Sequence, residues 1–220
     1  LGEVNQPVLI KMGAEAYLFL AEWHGKKVVL KKRLPKKYRI PALDEQIRAY
    51  RTVHESQLMH EAKKAGVPTP TIFFVDVKNS TIVMEFVEGR QLKQLLKDVS
   101  EDDRWQLCRK IGELIGKLHR YGIVHGDLTT SNMIQAPDGK IFFVDFGLSE
   151  KTMELEARGV DLHLMKRALQ STHFQYAEKC FNAIIEGYKS VLGIDEVKNV
   201  LDKIREIERR GRYIAERRGE

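Results

Sequence analysis

At 220 residues the chain falls between one domain and two small ones. Hydrophobic residues at 43% supply enough apolar material for a packed core, which excludes a disordered or fibrous chain. Lys+Arg 37 against Asp+Glu 31 gives a formal charge of +6, and with no long uncharged apolar run, neither a membrane span nor a secretory leader is expected. Val8-Leu9-Ile10 and Ala16 to Leu20 read as strands around a turn at Gly13, and His24-Gly25 as a second turn before Val28-Val29-Leu30. Leu43, Ile47, Tyr50, His54, Leu58 and Ala62 recur at three- and four-residue steps. That spacing predicts an amphipathic helix, opened by Pro41 and closed by Gly66 and Pro68. Two further strands, Thr71 to Val77 and Thr81 to Val87, flank a Lys-Asn-Ser turn.

The character changes after Glu88-Gly89. Ser100 to Asp103 fits a capping box, and behind it Leu107, Cys108, Ile111, Leu114, Ile115 and Leu118 form a helical core stripe. Asn132 to Gln135 and Ile141 to Val144 read as short strands around Pro137-Asp138-Gly139, and helical spacing runs from Asp161 to the end. The expected architecture is α+β with two lobes: residues 1–87, a five-stranded sheet with one main helix, and residues 88–220, mostly helical.

The basic excess is uneven. Eight basic residues and no acid lie from Lys26 to Arg39, and Arg205, Arg209, Arg210, Arg212, Arg217 and Arg218 close the chain among Glu206, Glu208 and Glu216. These segments suit an anionic partner bound through phosphates, since no RNP, KH or zinc-knuckle pattern is present to read bases. A solvated surface laced with ion pairs is the competing reading. Cys108 and Cys180 form no CxxC pair, so a disulfide framework or cysteine zinc site is not expected, and a cytoplasmic setting is. His119, His163 and His173 lack metal-ligand spacing and read as structural.

Four chemistry-bearing elements follow in order. Met12, Gly13, Ala14, Glu15, Ala16 and Tyr17 lie between two strands. Lys31 ends Val28-Val29-Leu30-Lys31, and Glu55 lies on the long helix. His125-Gly126-Asp127-Leu128-Thr129-Thr130-Ser131-Asn132 follows a helix, and Val144-Asp145-Phe146-Gly147 ends a strand. The order resembles the protein-kinase signature: glycine loop, strand lysine, helix glutamate, catalytic loop and D-F-G. Phosphoryl transfer asks a protein mainly to position ATP and neutralise its charge. The resemblance assigns Lys31 and Glu55 to the phosphates, Asp127 to the nucleophile's proton, and Asn132 and Asp145 to Mg²⁺. Strand alternation favours Lys31 over Lys32, and the helical stripe favours Glu55 over Glu61. His125 reads as a packing and hydrogen-bonding residue. The glycine loop is degenerate, with Gly13 and the small Ala14 and Ala16.

Gly126 stands where kinases carry the arginine of H-R-D, no A-P-E follows, and thirteen residues separate Gly147 from Asp161. The fold expected is thus a minimal bilobal kinase-like one without an extended activation segment. Lys31-Lys-Arg-Leu-Pro-Lys-Lys-Tyr-Arg-Ile-Pro41, Arg51-Thr-Val-His-Glu55, the catalytic loop and Arg210-Gly-Arg212 look like the PRPK-type small kinases of the KEOPS complex. That resemblance implies an atypical serine/threonine kinase acting chiefly as an ATPase, in a complex that makes threonylcarbamoyl-adenosine on tRNA. It implies as partners a threonylcarbamoyl-transferase subunit, small regulatory subunits, and tRNA through the complex. Met84, Glu85, Phe86 and Val87 would meet the adenine. Two alternatives are a RIO-type kinase and a non-catalytic RNA- or protein-docking scaffold. The intact Asp145-Phe146-Gly147 and the Thr129-Thr130-Ser131 run count against the first, and the complete Lys31, Asp127, Asn132 and Asp145 set against the second.

Overall fold

The computed structural model describes residue 5 and residues 7–218, with side chains as far as residue 210. Arg212, Arg217 and Arg218 of the basic tail have side chains outside the described residues. The first part of the chain is one antiparallel sheet of β1 (Val8–Met12), β2 (Ala16–Trp23), β3 (Lys26–Arg33), β4 (Ile72–Asp76) and β5 (Thr81–Glu85), in the order β1-β2-β3-β5-β4. Helix α1 (Pro41–Lys64) connects β3 to β4, with proline in its first turn, where a missing N–H costs nothing. One sheet face buries Ala21, Val28, Leu30 and Val83 under Phe19, Trp23 and Phe73. The other carries Ile82 and Met84 against Leu58, Met59 and Ala62 of α1.

The second part begins with β6 (Arg90–Gln91), α2 (Leu92–Asp98), α3 (Glu101–Arg120) and β7 (Ile123–Val124). Then follow β8 (Met133–Gln135), β9 (Ile141–Phe143), β10 (Glu150–Lys151), α4 (Leu155–Thr172), α5 (Ala177–Leu192) and α6 (Ile194–Arg218). Its core is the α3–α5 pair. A Cβ on Gly112 would sit 1.9 Å from the Ile184 carbonyl oxygen, and one on Gly187 would sit 1.8 Å from that of Arg109. Only glycine allows the two backbones to meet this closely. No helix among the described residues is long and apolar enough to cross a membrane.

Three expectations change in detail. Helix α1 buries Asp44, Thr52, Glu55, Leu58, Met59 and Ala62, while Leu43 and Tyr50 are 49% and 66% exposed. The apolar stripe therefore holds only for the last turns. The first half of the helix turns polar groups inward because charged partners wait there: Arg48 and Arg39 for Asp44, and β3 cations for Glu55. The capping box at α3 is half made. Ser100 Oγ accepts the Asp103 N–H at 3.1 Å, but the short Asp103 carboxylate takes the Ser100 hydroxyl proton at 2.7 Å instead of reaching back to the backbone. Helix α4 starts at Leu155, earlier than Asp161.

Candidate active site

Strand β3 presents alternate residues to opposite faces. Val28, Leu30 and Lys32 leave one side, and Val29, Lys31 and Arg33 leave the side that faces α1 and the cleft. Lys31 and Arg33 are buried, and Lys32 is exposed. Lys31 Nζ donates to Glu55 Oε1 at 2.6 Å and to Asp145 Oδ1 at 2.6 Å, so the lysine ties the sheet, α1 and the turn after β9 together. Burial alone would lower the Lys31 pKa, but the carboxylates of Glu55 and Asp145 outweigh it and hold the pKa above the ordinary lysine value. Burial likewise works to raise that of Asp145, and the Lys31 charge holds it below the usual carboxylate range. Glu61 lies at the surface with Lys64.

Two adjoining cavities meet at Lys31 and Asp145. One, about 250 Å³, is lined by Leu18, Val29, Met84, Glu85, Phe86, Val87, Ile134 and Val144, and is apolar with a backbone edge. On that edge Glu85 and Phe86 donate their N–H groups to Thr71 and Lys27, while the Val87 N–H meets no backbone carbonyl among the described residues. The other, about 260 Å³, lies under the β1–β2 turn. Gly13, Ala14, Glu15, Ala16, Lys11, Arg33, Arg51 and Asp127 line it with Lys31 and Asp145. An apolar cavity beside a hollow with four cations against three carboxylates suits a planar base that carries phosphates.

The β1–β2 turn is pinned from outside. Arg51 of α1 pairs with Glu15 at 2.6 Å, and Lys36 donates to the Ala14 carbonyl. Met12 and Tyr17, expected in the loop, pair with each other across β1 and β2 and line neither cavity. The adjacent pair Lys11 and Leu18 faces inward instead. Glu55 lines neither cavity and sits behind Lys31.

The catalytic loop is built on hydrogen bonds to a residue that motif spacing missed. Asp161 of α4, 1% exposed, accepts the His125 N–H at 2.7 Å, the Gly126 N–H at 2.9 Å and His119 Nε2 at 3.1 Å. The signal available was an acid inside an apolar helical run, Val160-Asp161-Leu162. Gly126 has φ +77, and a Cβ there would lie 2.1 Å from the Leu148 carbonyl oxygen. An arginine at this position has no room. His125 Nε2 donates to the Val144 carbonyl at 3.2 Å and Nδ1 accepts the Asp127 N–H at 3.3 Å, which fixes the neutral Nε2–H tautomer. Burial lowers its pKa against the opposing pull of Asp161, Asp145 and Asp127.

Asn132 Nδ2 donates to Asp127 Oδ2 at 2.8 Å and to its carbonyl at 3.0 Å. This leaves Asp127 Oδ1 without a hydrogen bond among the described residues. Asn132 Oδ1 and the Asp145 carboxylate are the remaining oxygen donors beside the Lys31 seam, and Asp145 reaches it through a backbone at φ +66. No group of three His, Cys, Asp or Glu side chains able to hold a metal occurs among the described residues. Two hard oxygens suit Mg²⁺, which is usually held by one or two protein oxygens with phosphates and water completing its shell.

The profile of the protein kinase domain family matches residues 12–174. The KEOPS complex subunit Bud32 of Pyrococcus abyssi is 49% identical over 93% of this chain and 96% of its own length. The chain belongs to the Bud32 family. Probable bifunctional tRNA threonylcarbamoyladenosine biosynthesis proteins of Methanothermobacter thermautotrophicus and Methanobrevibacter smithii are each 43% identical. The chain spans 37% and 36% of their lengths, so in each the Bud32-like part is joined to a longer remainder. The structure of the Rio2 kinase from Chaetomium thermophilum matches 94% of this chain and 73% of its own, with TM-score 0.61 and 17% identity. That likeness establishes the fold: a small kinase core with a sheet lobe and a helical lobe. Bud32 family membership, at far higher identity, decides against the RIO-type reading.

Proposed function

We propose that this chain is the ATP-hydrolysing subunit of a KEOPS complex and serves threonylcarbamoyladenosine formation on tRNA, with a threonylcarbamoyl-transferase subunit as its direct partner. The carrying observation is the Lys31 ammonium, held 2.6 Å from both Glu55 and Asp145 where the apolar and the cationic cavities join. In this reading the lobes divide between Val87 and Glu88, and the nucleotide lies along that division. Adenine is bound by the Glu85–Val87 backbone, where the Val87 N–H is open, with Leu18, Val29 and Val144 excluding water. The triphosphate lies under Gly13, Ala14 and Ala16, against Lys31.

Asn132 and Asp145 would hold Mg²⁺, which supplies neutralisation of phosphate charge. Asp127 Oδ1 orients a water toward the γ-phosphorus and receives its proton as the new P–O bond forms and the bond to the β-phosphate oxygen breaks, giving ADP and phosphate. Asn132 fixes the rotation of Asp127, and Asp161 fixes the backbone that carries it. The short connection supports water as the acceptor: only residues 148–154 join Gly147 to α4, a small span for docking a protein substrate. The expected setting is the cytoplasm, where tRNA and ATP are available.

ATP hydrolysis is measured for the purified chain alone, with the transferase subunit, and with tRNA added. Turnover that rises with the partner and vanishes in Asp127→Ala supports the reading. Equal phosphate release from wild type and a folded Asp127→Ala would reject it.

A further inference from the structure

Arg33 lines the cationic cavity beside Lys31, yet the nucleotide reading above gives its charge no role. It follows Lys31 by two residues on β3, leaves the same face, and is 2% exposed. Its Nη2 donates to Glu55 Oε2 at 2.6 Å, while Lys31 takes Oε1 at 2.6 Å, so one carboxylate holds two buried cations. Nε and Nη1 of Arg33 are buried and have no acceptor among the described residues. A guanidinium this deeply buried is costly unless its donors are matched, and a two-toothed carboxylate grip is the usual match. Here Glu55 is divided between the two cations. A Cβ on Gly147 would lie 3.5 Å from Arg33 Nη2 and 3.8 Å from Glu55 Oε2, so the pair packs directly beneath the turn after β9.

Charge arithmetic gives this arrangement a consequence. Lys31, Glu55 and Asp145, which grips the same ammonium, sum to one negative charge, and Arg33 brings the cluster to zero. In protein kinases the lysine–glutamate pair is controlled by activation-loop phosphorylation and helix position. Seven residues between Gly147 and α4 leave no segment for that control.

We propose that Arg33 is a positioning residue of the phosphate site: it neutralises and orients Glu55, so that the Lys31 charge is left to Asp145 and the nucleotide's phosphates. The proposal rests on the ATP reading above and adds a residue to it. The Arg33 guanidinium borders the phosphate cavity with Nη2 committed to Glu55, so it acts on the phosphates by its charge and through Glu55 and Lys31. Its loss therefore weakens recognition of phosphate and leaves recognition of the base alone.

The test is calorimetric binding of ATP and of adenosine to the full chain as wild type, Arg33→Met and Arg33→Lys, with the unfolding temperature of each. Arg33→Met is expected to lower ATP affinity about tenfold or more, the scale of one unit charge near a buried site. Adenosine affinity should stay within about twofold, and Arg33→Lys should recover most of the ATP affinity. If Arg33→Met does not fold, Arg33→Gln takes its place in the comparison. ATP and adenosine affinities that fall together would mean a merely structural role and overturn the proposal, as would a lysine no better than methionine. A wild type that prefers ATP and a methionine variant that keeps that preference overturn this proposal alone. A wild type with no preference for ATP overturns the ATP reading and the proposal together.

Discussion

Asp161 Oδ1 accepts the backbone N–H of Gly126 at 2.9 Å, which fastens the catalytic loop to α4 at the residue where arginine would stand in H-R-D. The other Asp161 oxygen holds His125 N–H and His119 Nε2, so one buried carboxylate satisfies three donors. Asp161→Asn removes one oxygen and introduces an NH₂ that faces N–H groups. The expected result is a loss of about 1–3 kcal/mol in urea unfolding together with reduced ATP turnover. Unchanged stability would mean that the loop is held by other contacts.

Gly126 marks a constraint of the opposite kind, since here a side chain has nowhere to go. Gly126→Arg, which restores the common kinase sequence, should destabilise the protein by about 2 kcal/mol or more, because it combines a left-handed backbone with a clash against Leu148. Gly126→Ala should suffer nearly as much. Denaturant midpoints for both variants check this, and a stable Gly126→Arg protein would contradict the geometry.

Lys31 and Lys32 differ by one position and should differ greatly in effect. Lys31→Ala removes the buried charge shared by Glu55 and Asp145 and should lower ATP turnover about a hundredfold or more. Lys32→Ala, exposed on the other face, should stay within about twofold of wild type. Equal effects on steady-state phosphate release would place the strand in the wrong register.

Much of this site was legible because chemistry concentrates it in short motifs. Asp127, Asn132 and Asp145 lie on loops whose spacing is set by the chain itself, and β3 alternation separates Lys31 from Lys32. Residues that act through tertiary contact were not legible in this way. Arg33 looked like one more lysine-run cation, and Asp161 like the start of a helical stretch, because their partners come from other elements. The stripe on α1 misled for the same reason: charged partners on β3 and in the β3–α1 connection pull Asp44 and Glu55 inward and leave Tyr50 outside. At the β1–β2 turn, a shift in strand register between Leu9 and Lys11 decides that Lys11 and Leu18, not Met12 and Tyr17, face the cavities.

Acidification should destabilise the fold through its buried histidines. Burial lowers the pKa of His125, and burial with the cations Lys97, Lys93 and Arg104 lowers that of His173 to about 4. Unfolded histidines near 6.5 take up protons that the folded state refuses. The histidine contribution is thus fully present above about pH 6.5 and lost as pH falls toward 4. The urea midpoint should be lower at pH 5 than at pH 7, and His173→Gln should flatten part of that slope. A midpoint that is the same at both values would contradict the assignment.

The basic run from Lys26 to Arg39 is largely spoken for inside the protein. Lys31 and Arg33 are buried, Lys36 holds the β1–β2 turn, Arg39 pairs with Asp44 and Lys27 with Glu88, which leaves Lys26, Lys32 and Lys37 exposed without an ion pair among the described residues. On α6, Arg205 pairs with Asp202 and Arg210 with Glu156, as an ion-paired surface would. The isolated chain should therefore bind tRNA with a shallow salt dependence, a log–log slope no steeper than about −3 for three exposed lysines. Filter binding across a salt series measures it. A much steeper slope would mean that the Arg-rich tail carries RNA by itself.

The central claim is that Asp145 serves the bound nucleotide and Asp127 serves its attacking water. Phosphate release at saturating Mg-ATP, measured for wild type and a folded Asp145→Ala variant, tests it most directly. Loss of turnover by about a hundredfold or more in Asp145→Ala is the predicted result. Mg²⁺-dependent turnover at the wild-type rate in that variant would contradict it.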